Sequence, residues 1–366
     1  MDTYRNKKIL FISRTLRGGG AERFISTFTS YLVDNGYNVE LLLYEKTDDD
    51  YQVSNKLVVC SMPQREVSIK GKIQRIVDME RYIRLINPDI IIPFIDTVVS
   101  CSYIANLATG KKFVYTVRVS PWHEGLTSSK LSDFMRKIIA RHADAIMLQN
   151  LEQADYYPEN YKKREYIVPN PIPSRYIRIS KTKYKNDYTT LVMSGRLDKQ
   201  KNILLAIEAV AEIYADFPNL KLHIYGEGVE KENIIKSIKE KKLDNICIIE
   251  GRTNNIESIL QEADLYLMTS NYEGMPNALM EAMAIGVPCI SSDCKTGPKD
   301  LIVDGKTGLL FKTSDKADLV KKMIWSLMNT NIMNEMGKEG RNFIISNFQL
   351  KSILDKFEVM INGMEK

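Results

Sequence analysis

The chain has 366 residues, of which 44% are hydrophobic and 27% charged, and because this length exceeds what one hydrophobic core usually serves, we expect two domains. Its apolar runs are shorter than the roughly 18 residues of a membrane-spanning helix, its N-terminus lacks a signal-peptide pattern, and its five cysteines are dispersed, which together favour a cytoplasmic protein with reduced thiols. The formal net charge of +5 suits phosphorylated substrates or an anionic membrane face, and since no nucleic-acid-binding motif accompanies it, we expect no nucleic-acid partner.

The first half of the chain alternates strand-like and helix-like patterns. Apolar runs predict strands at 9–13, 39–43, 90–93, 113–117 and 145–148. This alternation is typical of a parallel sheet covered by helices on both faces. The pattern lapses over the polar, basic stretch 174–187, where we place a linker. The sequence therefore predicts an N-terminal domain over 1–180.

The same alternation restarts after the linker. Further strands are predicted at 190–193, 220–225, 246–249, 265–268 and 287–291. We therefore expect an α/β protein with two facing, doubly wound, Rossmann-like domains, the second over 181–346. Ligands of such folds bind at the carboxyl ends of the strands, so a cleft between the domains is the predicted site.

A short helix predicted near residue 277 begins between two carboxylates, Glu273 and Glu281. The N–H groups expected at its N-terminus belong to Asn277, Ala278 and Leu279. Such groups, with the helix dipole, suit an anion such as a diphosphate. Two carboxylates beside a phosphate site would repel the phosphate unless they bind hydroxyl groups of the same ligand. We therefore interpret Glu273 as a residue that binds the sugar and Glu281 as one that binds the ribose. The alternative is a buried helix with one exposed glutamate.

Two cations and two glycine turns also follow predicted strands. Arg196 and Lys201 are predicted to form a phosphate clamp that meets the charge of a departing diphosphate, with a pair of solvated surface cations as the alternative. Gly19 and Gly20 open a helix and permit close approach of a phosphate or sugar, or form only a tight turn. The other turn is Gly226-Glu-Gly228, for which a structural loop is nearly as plausible as a binding role.

These residues lie in motifs that resemble those of the family 4 retaining glycosyltransferases, which have the two-domain GT-B architecture. The motifs are Gly19-Gly-Ala-Glu-Arg23, Val168-Pro-Asn-Pro171, Ser194-Gly-Arg-Leu-Asp-Lys-Gln-Lys-Asn202, the Glu-x7-Glu segment from Tyr272 to Pro288, and Gly297 to Leu310. Within the family, the chain looks most like bacterial enzymes that extend lipid-linked oligosaccharides, such as polymerising N-acetylgalactosaminyltransferases.

The resemblance implies roles for several of these residues. Glu273 is similar to the residue that contacts the transferred sugar, and Glu281 to the one that accepts hydrogen bonds from the ribose. Arg196 and Lys201 are similar to cations that replace a metal ion, so we expect neither a metal nor another cofactor. The nucleobase is expected near Gly251 and Arg252. The resemblance also implies a C-terminal helix, within 347–366, that returns to the first domain.

The acceptor is expected to bind to cations of the first domain. A basic amphipathic helix is predicted over 69–86, with one apolar stripe formed by Ile69, Ile73, Ile76, Val77, Ile83 and Ile86. Its cations, mostly elsewhere on the helix, are Lys70, Lys72, Arg75, Arg81 and Arg84. In the enzymes that this chain resembles, a cationic helix of this kind holds the acceptor diphosphate, and it can also rest on an anionic leaflet; a solvated helix face is the alternative. Arg118 stands where many relatives carry a histidine, and we expect it to contact the acceptor diphosphate or the sugar, as in relatives with an arginine at this strand end. Whether Arg118 or the nearby His123 acts in catalysis is left open, and His123 can be only a loop residue. For the basic segment 130–141, as for 69–86, both acceptor or membrane binding and a solvated helix face are left open.

The expected function is the transfer of a hexose or N-acetylhexosamine, most plausibly from a UDP-sugar, to a lipid-linked saccharide at the inner face of the cell membrane. The alternatives are a nucleotide-sugar epimerase of the same fold and a non-catalytic regulator that binds nucleotide-sugars. Asp48 to Asp50 contain an Asp-x-Asp pattern, which we interpret as a solvated loop rather than a manganese site.

Overall fold

The computed structural model describes residues 6–66, 68–122, 130–182 and 189–364. The chain forms two compact units, one comprising Met1–Pro171 with Leu350–Lys366 and the other Ile172–Gln349. The division lies at Pro171, whereas the sequence places it near residue 180. The reason is that Ile172 and Tyr176 are buried in the core of the second unit. Residues 183–188 of the expected linker lie outside the described residues.

The described residues of the first unit form a seven-stranded parallel sheet. Its strands are β1 (Ile9–Ser13), β2 (Val39–Leu43), β3 (Val58–Ser61), β4 (Ile90–Pro93), β5 (Lys112–Thr116), β6 (Ala145–Leu148) and β7 (Glu165–Ile167). Their order is β3-β2-β1-β4-β5-β6-β7. The order reverses beside β1, where Ile9 pairs with Val39 of β2 on one side and with Ile90 of β4 on the other.

Helices cover both faces of this sheet. They are α1 (Gly20–Asp34), α2 (Ile69–Ile86), α3 (Asp96–Asn106), α4 (Lys130–His142) and α5 (Leu151–Ala154), followed by a 3-10 helix (Glu159–Arg164). Successive residues of β1 point to opposite faces. Phe11 packs in the cluster that contains Phe28 of α1, and Ile12 packs in the cluster that contains Ile83 of α2. The sheet is therefore buried on both sides, as a parallel sheet requires.

The second unit repeats this plan within the described residues. Its strands are β8 (Thr189–Ser194), β9 (Leu220–Tyr225), β10 (Cys247–Gly251), β11 (Leu265–Met268), β12 (Cys289–Ser292) and β13 (Leu309–Phe311), in the order β10-β9-β8-β11-β12-β13. Its helices are α6 (Ser174–Ile177), α7 (Ile203–Ile213), α8 (Lys231–Glu240), α9 (Ile256–Glu262), α10 (Asn277–Ile285), α11 (Pro298–Leu301), α12 (Lys316–Met328) and α13 (Thr330–Phe348).

The chain ends in α14 (Leu350–Gly363), which belongs to the first unit. The Phe357 ring lies 5.1 Å from the Phe28 ring and 6.2 Å from the Phe11 ring, between ring centroids. The expected return of the C-terminal helix is thus confirmed, as is the α/β class with two doubly wound parallel sheets. No helix in the described part of the chain is both long and apolar enough to cross a bilayer.

Candidate functional site

The strand order of the second sheet reverses between β8 and β11, and the loops after these two strands lie side by side. The Thr269 hydroxyl, directly after β11, donates to the carbonyls of Lys201 and Asn202 at 2.9 Å each. The Asn271 backbone N–H donates to the Gln200 carbonyl at 2.8 Å. The reversal point of a doubly wound sheet is where ligands of such folds bind. These bonds join 195–202 and 269–273 into one structure there.

Lys201 and Glu273 meet at this point. The Lys201 ammonium Nζ lies 2.5 Å from Glu273 Oε1, and the two side chains are 19% and 7% exposed. Gln200 Nε2 donates to the Tyr272 carbonyl at 3.0 Å and lies 3.4 Å from Glu273 Oε2. The structure therefore brings together the residue predicted to bind phosphate and the residue predicted to bind the sugar, and the two form a largely buried ion pair.

Arg196 is placed differently from Lys201. Its side chain is 72% exposed, and its Nη2 lies 3.5 Å from Asp198 Oδ2. The same nitrogen donates to Gln200 Oε1 at 3.1 Å. Gln200 thus links Arg196 to the Glu273 loop, a role that the sequence analysis missed. The position of Gln200 between Arg196 and Lys201 in the sequence motif was the signal that could have identified this role.

The loop between β12 and α11 contains a strained residue and contacts the loop before α10. Thr296 has φ +68° and is fully buried, and its hydroxyl donates to the Glu273 carbonyl. A positive φ at a β-branched residue is uncommon and costs of order 1–3 kcal/mol, and such strain clusters at functional sites. Gly297 follows with φ +95°, and a Cβ there would lie 2.7 Å from Pro276 Cδ. These two residues fix the backbone that carries Glu273.

The helix α10 begins after Pro276 without a side-chain cap hydrogen bond from the described residues. The first N–H groups of any α-helix lack intrahelical acceptors, and here they belong to Asn277, Ala278 and Leu279. Asn277 and Ala278 are half-buried, so this helix end is accessible. Glu281 lies one turn further along and is buried. The predicted arrangement of one carboxylate before the helix and one inside it is present.

The glycine turns after β9 and β10 lie toward the edge of this sheet. A Cβ at Gly226 would meet the Gly195 carbonyl at 1.8 Å, and one at Gly228 would meet the Leu197 carbonyl at 2.2 Å. These glycines are therefore needed for packing against the loop of Arg196. Gly251 has φ +77° and ends the edge strand, followed by the exposed Arg252. The strand β9 lies between β10 and β8, so it separates Gly251 and Arg252 from the loop that follows β8.

Arg118 and Gly19 lie in the first unit, after β5 and β1. The Arg118 guanidinium carbon stacks over the Phe24 and Phe94 rings, 4.2 and 4.8 Å from their centroids. Its Nη1 donates weakly to Asn170 Oδ1 at 3.3 Å. Within the described residues, its Nε has no acceptor and no carboxylate pairs with it. Burial lowers the pKa of Arg118 to about 9, so the guanidinium stays charged at neutral pH and can attract an anion.

The start of α1 lies after β1, in the same unit. Gly19 is its N-cap residue and Gly20 its first residue, and the Glu22 carboxylate lies beside Gly19, where an added Cβ would meet it. Phe24, on which Arg118 stacks, lies in the second turn of this helix. The predicted glycine site and Arg118 therefore border the same helix. His123 lies outside the described residues.

The helix α2 forms as predicted, but its apolar residues do not share one face. Ile83 and Ile86 are buried, whereas Ile69, Ile73 and Val77 are exposed, with Ile73 58% exposed. The predicted single stripe is therefore wrong, because the core contacts a face centred on Met79 and Ile83. The exposed face also carries Lys70, Lys72, Arg81 and Arg84.

Two of the predicted acceptor cations on α2 have protein partners. Arg84 pairs with Glu80 and donates from Nη2 to the Ala108 carbonyl at 2.9 Å. Arg75 lies over the Tyr44 ring, 5.4 Å from its centroid. Among the described residues, Lys70, Lys72 and Arg81 take part in no ion pair. The Asp-x-Asp stretch is a structural loop, since Asp50 accepts hydrogen bonds from the Leu16 and Thr47 backbones.

Two sequence families match this chain. Residues 176–343 match the family described as Glycosyl transferases group 1, and residues 8–150 match Glycosyl transferase 4-like. A similar protein is the GalNAc-α-(1→4)-GalNAc-α-(1→3)-diNAcBac-PP-undecaprenol α-1,4-N-acetyl-D-galactosaminyltransferase of Campylobacter jejuni. It is 26% identical over 338 residues, which are 90% of this chain and 91% of that protein. This agrees with the likeness expected from the motifs.

Solved structures share the fold at low identity. HepE of Anabaena in complex with UDP has a TM-score of 0.80 at 15% identity, over 97% of this chain and 99% of that one. Sucrose-phosphate synthase of Thermosynechococcus elongatus has a TM-score of 0.84 at 16% identity, over 97% and 98%. The sheets and these structures show the GT-B fold, and the two family matches, which together span most of the chain, show that it is a glycosyltransferase of family 4.

Proposed function

We propose that this protein transfers a hexose or an N-acetylhexosamine from a UDP-sugar to a lipid-linked saccharide, with retention of configuration and without a metal ion. The observation that carries this proposal is the Lys201–Glu273 ion pair, which lies in the same loop structure as the exposed Arg196 and directly before the N-terminus of α10. Fixed positive groups and a buried carboxylate thus converge at the reversal point of the sheet.

The donor diphosphate is assigned to the N–H groups of Asn277, Ala278 and Leu279, with Arg196 as the exposed cation. The helix dipole and N–H groups favour an anion at this end. Lys201 is held by the buried Glu273, whereas the contact of Arg196 with Asp198 is long and exposed, so Arg196 is the cation that can turn to a leaving diphosphate. The buried Glu281 accepts hydrogen bonds from the ribose hydroxyls. That HepE was solved with UDP supports the choice of a uridine nucleotide.

The proposed reaction occurs on one face of the sugar. The bond between the anomeric carbon and the donor diphosphate oxygen breaks, and a bond from that carbon to the acceptor hydroxyl oxygen forms. The proton of the acceptor hydroxyl passes to the departing diphosphate oxygen. Glu273 holds the Lys201 ammonium beside the sugar and contacts the sugar itself. Retention is inferred from membership of this family.

The acceptor is assigned to the first unit. Arg118 is a half-buried cation with no carboxylate partner among the described residues, so it suits the acceptor diphosphate. The exposed face of α2 combines Ile69, Ile73 and Val77 with Lys70 and Arg81, which form no ion pair within the described part of the chain; this suits an anionic membrane surface. The similar Campylobacter protein carries an undecaprenol-linked diphosphate saccharide in its name, and this supports an acceptor of that class at the inner membrane face.

The decisive experiment incubates the protein with labelled UDP-sugars and an undecaprenyl-diphosphate saccharide. We expect label to pass to the lipid fraction, with retained anomeric configuration in the product. An isomerised sugar nucleotide would instead indicate an epimerase, and binding without turnover would indicate a regulator. Either of these two results would overturn the proposed transfer. Thermal stabilisation by each nucleotide-sugar would identify the donor, since a ligand of the native state raises the melting temperature.

A further inference from the structure

A cavity lies within the first unit, and Arg118 is among the residues that line it. It has a volume of about 440 Å³ and is bounded by β5, α4 and the segment 156–161. Tyr115 and Val117 line it from one face of the sheet. Arg118 stacks on Phe24 and Phe94, which belong to the cluster on the opposite face. Ligand sites usually measure roughly 300–1,000 Å³, so this cavity is large enough for a sugar.

The wall of this cavity is rich in tyrosine. Four tyrosines contribute, namely Tyr115, Tyr156, Tyr157 and Tyr161. The Tyr157 ring packs edge-on against Tyr156 and Tyr115, with centroids 5.2 and 6.2 Å apart. These contacts hold the rings rigidly, while Tyr156, Tyr157 and Tyr161 remain half-buried. Tyrosine offers an apolar ring face and a hydroxyl together, a combination that suits a saccharide better than a hydrocarbon chain.

The cavity is also cationic. Arg136 and Lys137 of α4 line it, and no Asp or Glu does so among the described residues. Lys137 pairs with Asp133 at 2.9 Å at the exposed rim, and this pair offsets one charge. Arg118 also lines the cavity, whereas Arg164, which lies 5.0 Å from the Tyr161 ring centroid, does not. The local charge therefore remains positive, and positive clefts favour anionic ligands.

We infer that this cavity binds a saccharide bearing an anionic group, and that the ligand is part of the acceptor. The tyrosine rings contact the sugar, and Arg136 and Lys137 contact its phosphate or carboxylate group. The acceptor identity rests on the proposed function, whereas the binding of an anionic sugar does not. The cavity adjoins the carboxyl end of β5, where Arg118 is assigned to the acceptor, so one ligand can reach both places.

The binding test uses the whole protein with saturating UDP, which occupies the donor site. Calorimetry compares N-acetylglucosamine 1-phosphate, glucuronate and neutral N-acetylglucosamine as probes. We expect at least one anionic probe to bind tenfold more tightly than the neutral sugar. The probe that binds more tightly shows whether the site prefers a phosphate or a carboxylate group. Arg136→Ala and Lys137→Ala should each weaken that probe at least tenfold. Equal binding of all three sugars, or unchanged binding in both variants, would overturn the inference.

A matched control comes from the same helix. Arg141→Ala removes an exposed cation of α4 that does not line the cavity, and it should leave probe binding unchanged. Because Arg136 is half-buried, Lys137→Ala at the more exposed position keeps the test valid if Arg136→Ala fails to fold. Tyr157→Phe should raise the acceptor KM at least fivefold with an unchanged donor KM. If these variants transfer sugar with a normal acceptor KM, the inference about the cavity is refuted and the proposed function stands. If the protein binds the anionic probe but transfers no sugar, the proposed function is refuted and the cavity site stands.

Discussion

The ammonium of Lys201 lies 2.5 Å from the carboxylate of Glu273, although the two residues are 72 positions apart in the chain. Both side chains are largely buried, so each is the principal counter-charge of the other in the described structure. Arg196, the other predicted clamp residue, is exposed. The two cations therefore have different energetic roles, and this difference can be measured.

Lys201→Ala should lower both stability and activity, whereas Arg196→Ala should lower activity alone. Removal of Lys201 leaves the buried Glu273 carboxylate unpaired, which typically costs about 3–5 kcal/mol. Each variant should reduce kcat by about 100-fold, since both lose positive charge near the departing diphosphate. Urea unfolding and steady-state kinetics measure the two effects. An Arg196→Ala enzyme with normal kcat would remove this residue from the proposed mechanism.

Glu281→Gln should weaken UDP binding about tenfold, because it replaces a charged acceptor of ribose hydroxyl groups with a neutral one of the same shape. Calorimetric titration with UDP and with 2′-deoxy-UDP provides the control. The wild type should prefer UDP, and the variant should discriminate less between the two. If affinity and turnover stay the same in the variant, Glu281 does not bind the ribose.

Arg118→Met should weaken the use of acceptor without reducing stability. The half-buried guanidinium has no carboxylate partner among the described residues, so its removal relieves the cost of a partly desolvated charge. We expect a melting temperature equal to or above that of the wild type, and an acceptor KM raised about tenfold. Arg118→Lys, which keeps the charge, should retain part of the affinity. A lower melting temperature with a normal acceptor KM would show that Arg118 is only structural.

Ile73→Glu should reduce binding to vesicles that contain phosphatidylglycerol. The change places a negative charge on the exposed face of α2, where it opposes both burial in the lipid and attraction by neighbouring cations. Cosedimentation should fall by at least fivefold relative to the wild type. Val359→Glu, at an exposed position of α14 in the same unit, is the matched control and should bind normally. Equal losses in both variants would point to a general charge effect rather than to docking through α2.

Transfer activity should persist in EDTA. The proposal assigns neutralisation of the leaving diphosphate to Arg196, Lys201 and the start of α10, so a divalent ion has no required place. Initial rates with EDTA, and with added Mn²⁺ or Mg²⁺, should agree within about twofold. Loss of activity in chelator that Mn²⁺ restores would contradict this assignment.

The interior strands were predictable from sequence, and most edge strands were not. β1, β4 and β11 are apolar because they are buried on both faces, and such runs are recognisable locally. The strands that were missed, β3, β7 and β13, lie at sheet edges. Edge strands are short and carry mixed side chains because one side lacks a neighbouring strand. Their pairing depends on the position of the adjacent strand, which no local pattern contains.

The helix α2 shows the same limit. Its residues have a clear helical pattern, and the helix was predicted with the correct bounds. Which face is buried depended on where the sheet and α3 lie, and this left Ile69, Ile73 and Val77 exposed. Periodicity alone therefore grouped these residues with Ile83 and Ile86, which the structure buries.

The sequence by itself determined the fold class, the family and the loops that carry Arg196, Lys201, Glu273 and Glu281, because strand ends, glycine turns and helix starts are local properties of the chain. Tertiary structure alone decided that Lys201 pairs with Glu273, that Gln200 links Arg196 to the same loop, and that four tyrosines enclose a cationic cavity. Each of these contacts joins segments that are distant in the chain, and they meet only because the parallel strands align their carboxyl ends at one edge of a sheet.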